Sequence, residues 1–235
     1  DSGGENVLYG FNRWGEINIE IQLVNAENND WEDIAQDEEY IYIGDFGNNS
    51  GSRKDLKVYK INKSEITAEP QQNLEAEIIG FTFSNQAQFS FSPQSTPFDC
   101  ESLTNIAGKL HLFTKNWKDE STTVYSLPKT KGDFTLEPLD SFQVNGLITG
   151  ADFSSEHSTL ALAGYHDFKP LVWLFRGVTK ENIFGRESLL IKMDNIAGAQ
   201  TEGICFMGND TLLISCESTF SYPAKIFMID LNTLE

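Results

Sequence analysis

Basic residues are scarce in this chain: 17 Lys and Arg stand against 35 Asp and Glu in 235 residues, a formal charge of −18. Such a surface repels polyphosphate backbones and anionic headgroups, so nucleic acid and anionic membrane are poor partners, and no nucleic-acid partner is expected. The charge serves solubility in crowded or extracellular surroundings, and it attracts cations. Long apolar runs are missing too. No stretch nears the roughly 18 to 20 residues of a membrane-spanning helix, so a soluble chain with no direct membrane insertion is expected. The opening residues Asp1-Ser2-Gly3-Gly4 form no signal peptide, which places any export signal upstream of Asp1.

Cysteine is sparse and odd in number, and Cys100, Cys205 and Cys216 cannot complete a disulfide framework. Cys205 and Cys216 flank a turn at Gly208-Asn209-Asp210. Pairing across it sets Cys216 against Glu202 or Gly203, which would strain a bridge, so three buried thiols are expected. Helical periodicity is almost absent, as are a nucleophile elbow, a Gly-rich phosphate loop and zinc-ligand spacing. Asp45-Phe46-Gly47-Asn48-Asn49-Ser50-Gly51 departs from the EF-hand spacing and reads as a Gly/Asn turn.

What the chain does have is aromatic bulk, 17 Phe, 7 Tyr and 4 Trp, enough to build a core and exclude disorder. It also has a repeat. Four segments align, beginning at Asp30, Asp99, Gly150 and Thr201, and each reads as strand, turn, strand. A third strand follows each one, at Leu56–Tyr59, Thr123–Tyr125, Leu171–Trp173 and Lys225–Phe227. A fourth follows three of them, at Ile78–Phe83, Ser141–Val144 and Leu189–Ile191. Taking Glu32, Glu101, Ala151 and Glu202 as equivalent gives spacings of 69, 50 and 51 residues, the length of a four-stranded propeller blade. The long first interval implies an insertion, in a loop at either Glu69–Asn73 or Asn85–Thr96.

The expected fold is therefore all-β, a single β-propeller domain over 1–235 with about five four-stranded blades near 1–28, 29–97, 98–147, 148–198 and 199–235. Asp1-Ser2-Gly3-Gly4 matches Asp45-Phe46-Gly47-Asn48 in place, Val7–Tyr9 is a third strand and Ile17–Val24 a fourth. The first blade is thus incomplete at its N-terminus, and about two strands are expected upstream of Asp1.

In a propeller the innermost strand starts on the face where the second strand ends, because the two are antiparallel. Two sets of residues converge there: Glu32, Glu101, Ala151 with Asp152, and Glu202; then Asp45, Lys115 with Asn116, Tyr165 with His166, and Glu217. Carboxylates crowded around a wet funnel repel one another, and a hard cation, raised pKa values or solvation relieves them. Oxygen-only donors suit Ca2+ better than zinc, which makes Glu32, Glu101, Asp152 and Glu202 the candidate metal ligands. Asp45, Asn116, Tyr165 and Glu217 are candidates for holding a funnel ligand. The competing reading is that the acids cap turns or bind backbone amides between blades. His166 is a candidate general base.

The motifs Asp1-Ser2-Gly3-Gly4, the run from Asp30 to Ile61, Phe98–Leu103 with Leu112–Trp117, Ile148–Phe153, Thr201–Ile204 and Ile214–Ser218 resemble a family of exported propeller proteins common in Bacteroidetes. More remotely the pattern is similar to the esterase-like phytase and SdiA-regulated propeller domains. The resemblance implies export to the periplasm or cell surface, a further Glu-containing blade start upstream, and acidic funnel positions at Glu32, Glu101 and Glu202. The leading expectation is an exported binding module whose funnel holds a cation, Ca2+ foremost, or a small polar ligand. Two alternatives stand beside it. One is a metal-dependent hydrolase of phosphoesters or lactones, with a carboxylate or His166 activating water and Lys115 stabilising negative charge. The other is a scaffold for a partner such as an envelope protein.

Overall fold

The computed structural model describes residues 3–89, 92–208, 210–220 and 222–233. Asp1 and Ser2 of the N-terminal motif, and Asn209 of the turn between the last cysteines, lie outside these. The described residues form a five-bladed β-propeller with no α-helix. In the first sheet β1 (Val7–Phe11) pairs with β2 (Ile17–Leu23). The second sheet runs outward from β3 (Trp31–Gln36) through β4 (Tyr40–Asp45) and β5 (Lys57–Asn62), then, past β6 (Gln71–Leu74), to β7 (Glu77–Phe83). The third contains β8 (Asp99–Ile106), β9 (Lys109–Lys115), β10 (Ser121–Leu127) and, past β11 (Gly132–Leu136), β12 (Pro138–Gln143). The fourth is β13 (Leu147–Ser154), β14 (Thr159–His166), β15 (Lys169–Arg176) and β16 (Glu187–Lys192), and the fifth β17 (Thr201–Met207), β18 (Thr211–Cys216) and β19 (Lys225–Asp230).

The near-continuous apolar runs follow from the packing. Each middle sheet is covered on both faces, so alternate residues of one strand enter different cores. Tyr42 packs between the second and third sheets while Ile43 packs between the first and second. Leu162 faces the third sheet while Ala161 and Ala163 face the fifth. Tight hairpins set the register: Ala107-Gly108 and Asp167-Phe168 are two-residue loops with both φ values positive, at 49°, 82°, 48° and 56°.

The Pro- and Gln-rich insertion is not a loop. It forms β6, which leaves the second blade to pair in parallel with β2. β11 repeats the manoeuvre, leaving the third blade to pair in parallel with β7. Each covers an outer edge that would otherwise expose unpaired backbone groups.

At the centre the innermost strands lie side by side in the order β3, β8, β13, β17. Carboxylates join them. Asp33 Oδ2 accepts the Leu103 N–H at 2.8 Å and Asp152 Oδ2 accepts the Phe206 N–H at 2.8 Å, so each bridges its blade to the next. Gly150 sits at the closest approach, where a Cβ would run into the Glu202 carbonyl.

One cysteine departs from expectation. Cys100 and Cys216 are buried but Cys205 is exposed. It shares a sheet face with its partner Leu213 and with Met228, and this face turns away from the fourth sheet, so Met207, Ile226 and Met228 are exposed with it. Cys216 pairs with Thr201 and Cys205 with Leu213, so the two thiols are not opposite one another.

Asp152→Ala leaves the Phe206 amide without its acceptor and is expected to cost about 1–3 kcal/mol, the usual penalty for an unsatisfied buried donor. Urea unfolding measures it, and Asp33→Ala is expected to behave alike through Leu103.

Candidate functional site: a carboxylate ring around a buried lysine

Each innermost strand breaks its ladder near its start. The irregularities fall between Trp31 and Asp33, Cys100 and Ser102, Ile148 and Gly150, and Thr201 and Ile204. A bulge inserts an unpaired residue and re-aims its side chain. The inserted residues are Glu32, Glu101, Thr149 and, with Gly203, Glu202. The fourth blade therefore carries Thr149 at the equivalent place, two residues before Ala151. Ala151 is buried in the core between the third and fourth sheets, and Asp152 is the inter-blade bridge already described. The sequence alignment missed this because a bulge changes the register without changing the apolar pattern that follows it.

Lys115, at the end of β9, is 5% exposed, and its Nζ lies 3.2 Å from Glu101 Oε2. The ammonium is flanked by the rings of Trp117 at 4.9 Å and Tyr165 at 5.5 Å from their centroids. Burial works against its charge, but Glu101, Tyr165, Glu202 and Asp99 outweigh burial and raise its pKa, so Lys115 stays protonated. One cation thus sits among acids from three blades.

Glu32 lies on the same ring. Burial, then Asp30 and Asp99, push its pKa up to about 9. Asp30 is raised as well, by burial first. Both lie over the α-carbon of Gly47, where a Cβ would strike their oxygens. On the far side Gln200 Nε2 donates to Glu202 Oε1 at 2.7 Å and to Glu217 Oε2 at 3.2 Å. Burial raises both of these acids, and Glu202 adds to the effect on Glu217.

The other candidates are placed differently. Asp45 is fully buried; its Oδ1 accepts the Asp30 N–H at 3.0 Å and pairs with Arg53 at 3.0 Å, holding the blade wall together. Asn116 shapes the turn after Lys115, accepting the Lys118 N–H and donating to Ser121 Oγ. His166 is at the rim, with Nδ1 3.0 Å from Glu120, so it is not brought against Lys115. Among the described residues no three Asp, Glu, His or Cys side chains are arranged to hold a metal ion.

Sequence reasoning overlooked Asp30, Asp99 and Gln200. Asp99 Oδ2 accepts the Trp117 indole N–H at 2.7 Å and its Oδ1 the Asn48 amide at 2.7 Å. The signal was present: each of these residues stands two places before a ring glutamate, in Asp30-Trp31-Glu32, Asp99-Cys100-Glu101 and Gln200-Thr201-Glu202.

No protein-family model and no curated protein matches the chain. Solved structures do. A GH43 β-1,3-galactosidase aligns at TM-score 0.56 and 11% identity, over 94% of this chain and 46% of that one. The exo-β-1,3-galactanase of Phanerochaete chrysosporium, solved with β-1,3-galactotriose, aligns at TM-score 0.55 and 13% identity, over 95% of this chain and 50% of that one. The chain spans about half the length of these structures, and the likeness is one of fold: a five-bladed propeller distantly similar to theirs.

Two predictions follow from the charges. The folded state keeps a proton on Glu32 that the unfolded chain releases near 4.5, so Glu32 makes stability fall as pH rises from about 4.5 to about 9. Glu32→Gln is expected to flatten that fall in a melting-temperature profile. Lys115→Met removes the partner of Glu101, whose pKa burial and then Asp99 already push up, and is expected to lower stability in urea unfolding, more at high pH than at low, with much of the loss recovered when Glu101→Gln is added.

Proposed function

We propose that the protein is an exported binding module whose funnel takes a small, uncharged polar ligand. The observation that carries this reading is the Lys115 ammonium, buried 3.2 Å from Glu101 in the middle of the ring. Crowded carboxylates call for a counter-cation, and here the chain supplies its own. A divalent ion at the same centre would meet that ammonium at close range, where low dielectric makes repulsion strong. The remaining groups combine donors with acceptors. Glu32 offers a protonated carboxyl beside Asp30, and Gln200 with Glu202 and Glu217 an amide beside two carboxyl groups. Such a lining fits hydroxyl or amide groups, which both give and accept hydrogen bonds. Export to the periplasm or cell surface belongs to the same proposal and rests on the resemblance of the repeat motifs to exported propellers. Ca2+ in the ring is the competing occupant.

Melting temperature in the presence of neutral monosaccharides, polyols and amides, with Ca2+ in parallel, tests the reading. A ligand at ten times its Kd adds about 1.4 kcal/mol, a rise of roughly 3–5 °C for a chain this long. The expected result is such a rise with a neutral compound, abolished by Glu202→Gln. No rise with any neutral compound overturns the proposal, and a rise with Ca2+ alone that Glu202→Gln removes replaces it with the cation site.

A further inference from the structure

We propose a second ligand site, separate from the funnel, in the cleft between the third and fourth blades, and that it takes a small amphiphilic anion with an apolar body and one acidic headgroup. The cleft encloses about 610 Å³, within the range that holds a small organic molecule. Its apolar wall comes from both blades: Val144, just after β12, and Pro170, Leu171 and Leu190 on β15 and β16. Val144 is fully buried, and Trp173 fixes it by donating its indole N–H to the Val144 carbonyl at 3.1 Å. The wall is thus part of the packed scaffold.

The rim has the opposite character to the rest of the molecule. Lys169 and Lys192 both line the cleft, and among the described residues neither makes an ion pair. The pairing of Leu171 with Lys192 puts Lys192 on the same sheet face as Lys169, on the diagonal one step along β15. The acids nearby are Glu120 and Asp194. Glu120 is occupied by His166, 3.0 Å from its Nδ1, and the other ring nitrogen is 3.5 Å from Asp167. Glu120 thus has its hydrogen-bond partner in His166, and among the described residues Lys169 and Lys192 are left as cations without an ion-pair partner, on a chain whose formal charge is −18. A single acidic headgroup gives the two unpaired lysines a partner, whereas a polyanion would be repelled by the surrounding surface. The apolar wall below the lysines provides for the body of the ligand, and the lysine stems extend that apolar contact.

The probe is 8-anilinonaphthalene-1-sulfonate, an aromatic body with one sulfonate, titrated into the native protein at neutral pH and followed by fluorescence. Saturable binding is expected, weakened at least tenfold by Lys169→Glu with Lys192→Glu and unchanged by Lys225→Glu, a charge reversal on the fifth blade. Octanoate is expected to compete, showing that a carboxylate headgroup serves as well as a sulfonate. Glu202→Gln in the funnel leaves the binding unchanged if the two sites are separate, so this result is independent of the funnel reading. Non-saturating fluorescence, or binding that the double charge reversal leaves intact, overturns the proposal, since the probe would then be on exposed apolar residues such as Ile226 and Met228. A melting curve of the double variant matching the wild type confirms that lost binding is not lost folding.

Discussion

The innermost strand of a propeller blade has a neighbour on one side only, and its free edge must find hydrogen-bond partners across the axis or in the next blade. Here side chains meet that need. Asp33 and Asp152 take amides of the following blade, Asp99 takes the Asn48 amide of the preceding one, and Asp45 takes the Asp30 amide within its own. Thr149 donates its hydroxyl to the Thr201 carbonyl, and Thr201 donates to the carbonyl of Gly164. Short acidic and hydroxylated side chains at the strand starts are thus first a solution to backbone satisfaction, since buried amides left unpaired are costly.

The funnel grows out of the same constraint. Where the ladders of β3, β8, β13 and β17 are broken near their starts, the bulged residue is released from pairing, and in three of these four strands it is a glutamate. Their mutual repulsion is relieved in three ways at once: an ammonium beside Glu101, a proton held on Glu32 next to Asp30, and an amide between Glu202 and Glu217. The ammonium and the proton lower the charge, the amide only ties two carboxyl groups by hydrogen bonds, and each leaves hydrogen-bonding capacity in place.

Much of the architecture was legible because it is written in patterns that burial imposes. Runs such as Tyr40–Ile43 and Leu160–Ala163 announce strands covered on both faces, and their recurrence with a shared third strand announces blades. The convergence of Glu32, Glu101, Lys115 and Glu202 was legible for the same reason, as strand starts and ends at constant spacing. What escaped notice was whatever the pattern does not encode. The bulge in β13 moved the equivalent position to Thr149, which is not an acid. β6 and β11 are polar, short and paired outside their own blades, so nothing local marks them as strands. Cys205 sits in an apolar stretch yet faces outward, because exposure there depends on which sheets stand on either side.

The two parallel strands have an effect on how the chain can come apart. β10 and β12 belong to the third blade, but the segment between them, β11, is hydrogen-bonded along its length to β7 of the second. The polypeptide is laced rather than strung. A single break at Lys129–Lys131 would leave each new end held by a different sheet, one through β10 and the other through β11, and the halves would stay joined without a covalent link. Neighbouring blades stitched in this way share one fate on unfolding, and a propeller of separate blades would gain that cooperativity from side-chain packing alone.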